Sequence, residues 1–309
     1  MRLDRNARTY FMTALFFIAT GAAALAQNSP PPAASTGAQA VADVFHEAES
    51  KYMFGFTDGS DIGNEGEKAF EYESTGSFQK RGGRYMALEH EFEFEHVVTQ
   101  NFAYELSAHA LTHSISNVEG LDDRNSTQFS GASAKLRYLI IGRGPGSPFG
   151  LTVSAEPEWS RIDGADGTGT RGYSATFKLV ADTELIANRL YAAVNLIYEP
   201  EVAKPADSGM WERSSMAGLS MGLTYRVTPT VAMGVGAEYD RAYDGLAFQT
   251  FNGHAFYVGP TLQINFSRKV LLAAAFMAQV AGRAVDDPRP LDLTNFERYR
   301  SNLKLEFEF

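Results

Sequence analysis

Tyr299-Arg300-Ser301-Asn302-Leu303-Lys304-Leu305-Glu306-Phe307-Glu308-Phe309 decides how this chain is read. Tyr299, Ser301, Leu303, Leu305, Phe307 and Phe309 alternate with Arg300, Asn302, Lys304, Glu306 and Glu308, and Arg298 precedes them in phase. Successive side chains of a strand point to opposite faces, so one face is apolar and the other charged. The same period of two recurs upstream. Leu88, His90, Phe92 and Phe94 alternate with Glu89, Glu91, Glu93 and Glu95, and Phe102, Tyr104, Leu106 and Ala108 alternate with Glu105, Ser107 and His109. A helix would scatter those glutamates over all sides.

Twelve segments follow this pattern, at 66–79, 83–97, 101–115, 127–141, 148–161, 169–184, 188–200, 211–226, 230–242, 253–266, 269–283 and 296–309. They are long for soluble strands and suited to tilted membrane strands with their rims. The connections alternate between tight turns, such as Thr228-Pro229 and Ser267-Arg268, and longer polar loops, such as 117–126 and 285–295. Aromatic residues gather on the apolar face at both strand ends, for example Phe149, Tyr225 and Phe266 beside short turns and Trp159, Tyr173 and Tyr239 beside long loops. Two interfaces separated by an aliphatic band select that distribution, which a soluble β-sandwich does not explain. The fold expected is all-β: an antiparallel transmembrane β-barrel of about 12 strands over 66–309.

Composition agrees and narrows the function classes. Of 309 residues, 44% are hydrophobic and 12% aromatic, and there is no Cys, which removes disulfides, thiolate metal sites and cysteine nucleophiles. The net charge of −10 argues against nucleic acid as a partner. At the N-terminus, Arg2, Arg5 and Arg8, the apolar stretch Phe11–Ala24 and Ala24-Leu25-Ala26 read as a signal peptide over 1–26. Its removal takes away three Arg and one Asp, moving the net charge from −10 to −12. Residues 27–65 are expected as a periplasmic linker and N-terminal segment, with Pro30, Pro31 and Pro32 in a flexible stretch and 41–50 forming at most one or two helical turns. The segment 42–65 is expected in the periplasm or partly in the lumen, and if Tyr52–Thr57 is a strand the count becomes thirteen.

These residues resemble the outer-membrane β-barrel superfamily of Gram-negative bacteria, porins included, over 66–309. Tyr299, Leu303, Leu305, Phe307 and Phe309 look like the terminal assembly signal of that family. The stretch Gly55-Phe56-Thr57-Asp58-Gly59-Ser60-Asp61 is similar to the same region of alphaproteobacterial barrels of unassigned function. The resemblance implies an outer-membrane location, contact with outer-membrane lipids and lipopolysaccharide, and insertion by the barrel-assembly machinery. It implies no cofactor and leaves the oligomeric state open.

Any chemistry then lies on the inward face. Hairpin geometry sets Glu73 opposite Glu89 or Glu91, Glu71 opposite Glu91 or Glu93, Glu93 against Glu105 and Glu89 against His109. Like charges directly opposite destabilise a sheet, so compensation is required. Lys135 and Arg137 beside Glu105, Lys178 further round, and Arg298, Arg300 and Lys304 on the closing strand are the candidates. Small inward residues (Gly131, Ser133, Gly218, Ser220, Gly222, Gly234, Gly236 and Ala273) are expected to leave open space on one side. Pro157 and Pro260 are expected at rims or bulges, outward His90 near an interface or neutral, and 179–198 and 270–282 admit a helical reading.

Enzyme motifs are not met: no His has Ser two positions on, and Gly142–Gly146 precedes a strand rather than a helix. Asp58, Asp61, Asn64 and Glu65, and Asp163 with Asp166, lack the spacing of a calcium loop and read as turns. The expectation is a passive channel for small polar or ionic solutes, with modest cation preference and no enzymatic activity. The competing class is a closed barrel with a structural, adhesive or assembly-partner role.

Overall fold

The computed structural model describes residues 50–144 and 147–309. The signal peptide expected at 1–26, the linker, and all but the last residue of the expected helical turns lie outside the described residues. Twelve strands follow in chain order: β1 (Lys68–Phe78), β2 (Arg84–Thr99), β3 (Phe102–Ser116), β4 (Arg124–Ile141), β5 (Phe149–Ile162), β6 (Gly169–Ile186), β7 (Leu190–Pro205), β8 (Glu212–Thr228), β9 (Val231–Asp244), β10 (Thr250–Ser267), β11 (Val270–Ala284) and β12 (Tyr299–Glu308). Each pairs antiparallel with its neighbours, and β1 pairs with β12 to close the barrel.

The period of two produces this closure. On β3, Ala103, Glu105, Ser107, His109, Leu111, His113 and Ile115 are buried towards the lumen, whereas Leu106 is half exposed outside. Phe92 and Phe266 present 59% and 64% of their surface outward, an exposure suited to lipid rather than water. At the seam Phe70 faces Phe307 and Gly76 faces Ser301. The terminal Phe309 donates its N–H to the Lys68 carbonyl at 2.9 Å and stacks on Phe70 at 5.3 Å. His90 faces outward between the Tyr72 hydroxyl, 2.8 Å from Nδ1, and the Thr112 hydroxyl, 3.3 Å from Nε2, so both ring nitrogens have partners.

Tyr52–Thr57 holds a tight turn bridged between Phe54 and Thr57 and is no strand, so the described residues carry the twelve strands expected. Several other expectations need correction. The two stretches with a helical reading are strand: 179–198 spans parts of β6 and β7, and 270–282 lies in β11. Pro157 and Pro260 lie inside β5 and β10, paired with Ala175 and Val235. On the other side of each proline the ladder lapses for two residues, between Ser133↔Glu158 and Leu136↔Ala155 and between Val258↔Ala278 and Thr261↔Ala275. The missing N–H falls at these lapses, which replace the expected bulges. The β2–β3 register is also displaced: Glu95, not Glu93, faces Glu105, and Glu91, not Glu89, faces His109. The turn is tighter than the one assumed, with Thr99 facing Phe102, and a bulge between Val97 and Thr99 takes back one residue of that shift.

Candidate functional site

The lumen is occupied by the chain's own N-terminal segment. Residues 50–60 form a closed loop whose two arms meet at Asp182 of β6. The Ser50 hydroxyl donates to this carboxylate, as do the Ser60 N–H at 3.0 Å and the Ser60 hydroxyl at 2.8 Å. Gly59 N–H donates to the Lys51 carbonyl at 3.1 Å and ties the arms together. Compact loops with adjoining ends are packed by their own side chains, and this one packs against the barrel wall. Ser50, Phe54, Thr57 and Ser60 are wholly buried.

Its contacts run round the wall from β2 to β12. Lys51 pairs with Glu95 and with Glu105, the latter at 3.0 Å. Tyr52 packs with Leu271 and Ala273 of β11, and its ring lies 4.3 Å beneath the Lys304 ammonium. Met53 and Phe54 cluster with Tyr191, Ala193 and Ala232, while Phe56 packs against Tyr257 and Met277. The Thr224 hydroxyl donates to the Met53 carbonyl at 2.9 Å. On the returning arm, the Asp58 carboxylate accepts from Lys178 at 2.7 Å, and Arg137 donates to the carbonyls of Gly59 and Asp61 at 3.0 and 2.9 Å. Ile62 then packs with Val97 and Ala103.

Two glycines are required by this fit. Gly55 turns at φ +71°, and a Cβ there would come within 2.7 Å of Ala275 Cβ and Thr261 Cγ2. A Cβ on Gly222 would lie 2.6 Å from Phe54 Cβ. Part of the open space expected beside the small inward residues is therefore filled, because Gly222 and Ala273 form the seat of Phe54 and Tyr52. The same fact explains why β11 is apolar on both faces: Leu271, Ala273, Ala275 and Met277 look inward at the loop, not at water.

Charge pairs hold the loop and the wall together. Glu71 faces Glu93 and Glu73 faces Glu91, one of the alternatives read from the hairpin, and Glu95 faces Glu105. Lys304 compensates Glu71 and Glu73 at 2.8 and 2.9 Å; Lys135 compensates Glu105 at 2.7 Å and approaches Glu93 and Glu156 at 3.6 and 3.5 Å. His109 Nδ1 reaches Glu89 at 3.2 Å, and Arg137 reaches Glu105 at 3.6 Å. On the loop itself, burial works to lower the Lys51 ammonium, but Glu105 and Glu95 outweigh it and hold its pKa above the ordinary value. Burial likewise works to raise the Asp58 carboxyl, yet Lys178 and Arg137 hold it well below the usual carboxylate range.

Towards the outer mouth the wall becomes more acidic, with Glu156, Glu158, Glu199, Glu201, Glu238 and Asp240 on inward positions. Arg300 pairs with Glu238, Asp240 and Glu297 there and lies 4.0 Å over the Tyr257 ring. The β11–β12 loop folds inward: Phe296 is buried with Tyr257, and Glu297 O accepts from the Tyr257 hydroxyl at 2.7 Å. Lys80 and Arg81 of the β1–β2 turn pin it, Lys80 to the carbonyls of Thr294 and Phe296 and Arg81 to Asp287 and two carbonyls.

Of the sequence candidates, Arg298 does not line the wall. It is exposed at the outer rim, stacked 5.3 Å from the Tyr299 ring centroid, because β12 begins only at Tyr299. Sequence reasoning missed Asp182, Glu95 and Asn195, whose Oδ1 accepts the Asp58 N–H at 2.7 Å. Their inward parity, shared with Lys178, Glu93 and Ala193, was the available signal. Of the acidic clusters read as turns, Asp163 heads one, accepting the N–H groups of Ala165 and Asp166 at 2.8 and 3.0 Å, whereas Asp58 is paired with Lys178 inside the lumen and Asp61 with Arg143 at 3.0 Å.

The closed twelve-strand antiparallel fold is one that solved outer-membrane channels share. The COG4313 outer membrane channel from Pseudomonas putida F1 is similar in fold, with a TM-score of 0.54 at 14% identity over 81% of this chain and 98% of that one. The NanC porin gives 0.45 at 9% identity over 77% and 98% of the two chains. The translocator domain of the autotransporter NalP from Neisseria meningitidis gives 0.46 at 10% identity over 81% and 91%. No curated protein matches the sequence. One family does, across the barrel and the loop inside it: residues 46–309 match the Family of unknown function (DUF6662), and the chain belongs to that family.

Proposed function

We propose that this protein is an outer-membrane channel of a Gram-negative bacterium, passing small polar and preferentially cationic solutes when its N-terminal loop leaves the lumen. The observation carrying this reading is that the occupant of the lumen lies outside the strand ladder. The loop is held by side-chain contacts and scattered hydrogen bonds, while the twelve-strand ladder closes without it. Cation preference rests on the carboxylates of β1, β2, β5, β7 and β9, which outnumber the basic groups beside them. Passage is passive, and no catalytic step is part of the reading.

The test is planar-bilayer conductance of the full mature chain and of a chain lacking 27–65. The truncated barrel should still be heat-modifiable and should conduct more, with a reversal potential favouring cations that weakens as salt rises. The competing closed barrel has one observation in its favour, the clamp of Ser50 and Ser60 on a single buried carboxylate. A folded truncated barrel that does not conduct would establish that alternative.

A further inference from the structure

The seat of Lys51 is built from the barrel wall alone. Glu93 and Glu95 of β2 and Glu105 of β3 are buried, and each brings a carboxylate oxygen within 4.8 Å of the other two. Lys135 closes one side of the group, 2.7 Å from Glu105 Oε2. The other side is taken by the Lys51 ammonium, which pairs with Glu95 and with Glu105 Oε1. A second observation concerns Glu71, which faces Glu93 across the ladder and is 5% exposed. Its Oε2 is buried and has no hydrogen-bond partner among the described residues. The five carboxylates Glu71, Glu73, Glu93, Glu95 and Glu105 exceed the three wall cations Lys135, Arg137 and Lys304 by two, and Lys51, from a segment outside the ladder, offsets one of them.

We infer that this seat is a binding site for primary ammonium groups, occupied in the closed state by Lys51 as a built-in ligand, and that organic amines are the solute class the lumen recognises. The inference rests on the proposed channel reading for its physiological meaning, but not for the site itself. An ammonium offers three N–H donors around a compact charge, and several carboxylate oxygens converging on one point suit it. A divalent ion is the poorer match: it would have to sit beside the Lys135 ammonium, which is fixed among the same carboxylates. When the loop leaves, the seat is left to whatever ammonium the lumen admits, and an amine arriving there competes with the loop's return.

The test uses the full mature chain, folded in detergent, with Lys51→Ala. Propylammonium replaces the three methylenes and the ammonium that Ala lacks. Isothermal titration should show it binding the variant at least tenfold more tightly than the wild type. It should also bind at least tenfold more tightly than tetramethylammonium, which carries the charge without N–H donors. Adding Glu95→Gln and Glu105→Gln should abolish that preference. Equal binding by variant and wild type, equal binding of the two amines, or preferential binding of Mg²⁺ would overturn the inference. Should Lys51→Ala not fold, Lys51→Met keeps the stem and is tested by thermal unfolding in ammonium against potassium chloride. A higher unfolding temperature in ammonium is expected, and no difference would refute the site. Amine binding in a barrel that never conducts would refute the channel reading and leave this one standing.

Discussion

Replacing Phe54 by Ala tests whether the loop is a removable stopper. Phe54 is wholly buried on Gly222, in a cluster with Met53, Tyr191, Ala193 and Ala232. Truncating a buried Phe to Ala costs about 3–5 kcal/mol. Phe54 makes no ladder hydrogen bond with any of the twelve strands, so this cost falls on seating the loop and not on closing the barrel. At roughly 1.4 kcal/mol per tenfold, the ratio of vacated to occupied lumen should rise by about two to three and a half orders of magnitude. The assay is open probability in planar bilayers, with heat-modifiability confirming the fold. Gly222→Ala attacks the same contact from the wall: its Cβ would come 2.6 Å from Phe54 Cβ, and overpacking of this kind costs about 1–3 kcal/mol. Because Phe54→Ala keeps the Cβ that Gly222→Ala would meet, the double variant should open further than either single variant. If both single variants fold and keep the wild-type open probability, the loop does not gate the lumen.

Three further outcomes are expected. Changing Glu71, Glu73, Glu89 and Glu91 to Gln should move the reversal potential towards anions, the more so because Lys304 loses both carboxylate partners; an unchanged potential in a conducting barrel would make that wall structural only. Deleting Phe309 removes the N–H to Lys68 and the stack on Phe70, so less folded barrel should accumulate in the outer membrane, measured by heat-modifiability. Asp287 is held well below the usual carboxylate range by its hydrogen bonds to Arg289, with Arg81 contributing. A depressed carboxyl stabilises above its unfolded pKa and loses that effect only as pH falls through the folded one. Protease protection of 285–298 should therefore survive mild acid, whereas Asp287→Asn should weaken it at neutral pH.

The barrel was legible because its signal is local. Strand alternation needs only neighbouring residues, so Glu89 to Glu95 and Tyr299 to Phe309 declare an inside and an outside before any partner is known. Strand number and closure followed from counting such segments and from the alternation of short and long connections. Register was less secure: a turn tightened to Gln100 and Asn101, with a bulge between Val97 and Thr99, moved Glu105 from Glu93 to Glu95, and nothing in the alternation marks either. The prolines were misplaced for a related reason, since a lapse in the ladder is a property of two strands together.

What stood inside the barrel was decided by tertiary structure alone. Gly222 and Ala273 read as empty space because sequence shows the size of a wall residue but not what faces it. Phe54 and Tyr52 lie 168 and 221 positions away from them along the chain. The same holds for Lys51 among Glu95 and Glu105, and for Ser50 and Ser60 on Asp182. A strand's period is written in covalent neighbours, whereas complementarity of shape and charge between a loop and a closed wall exists only once the wall has closed round it.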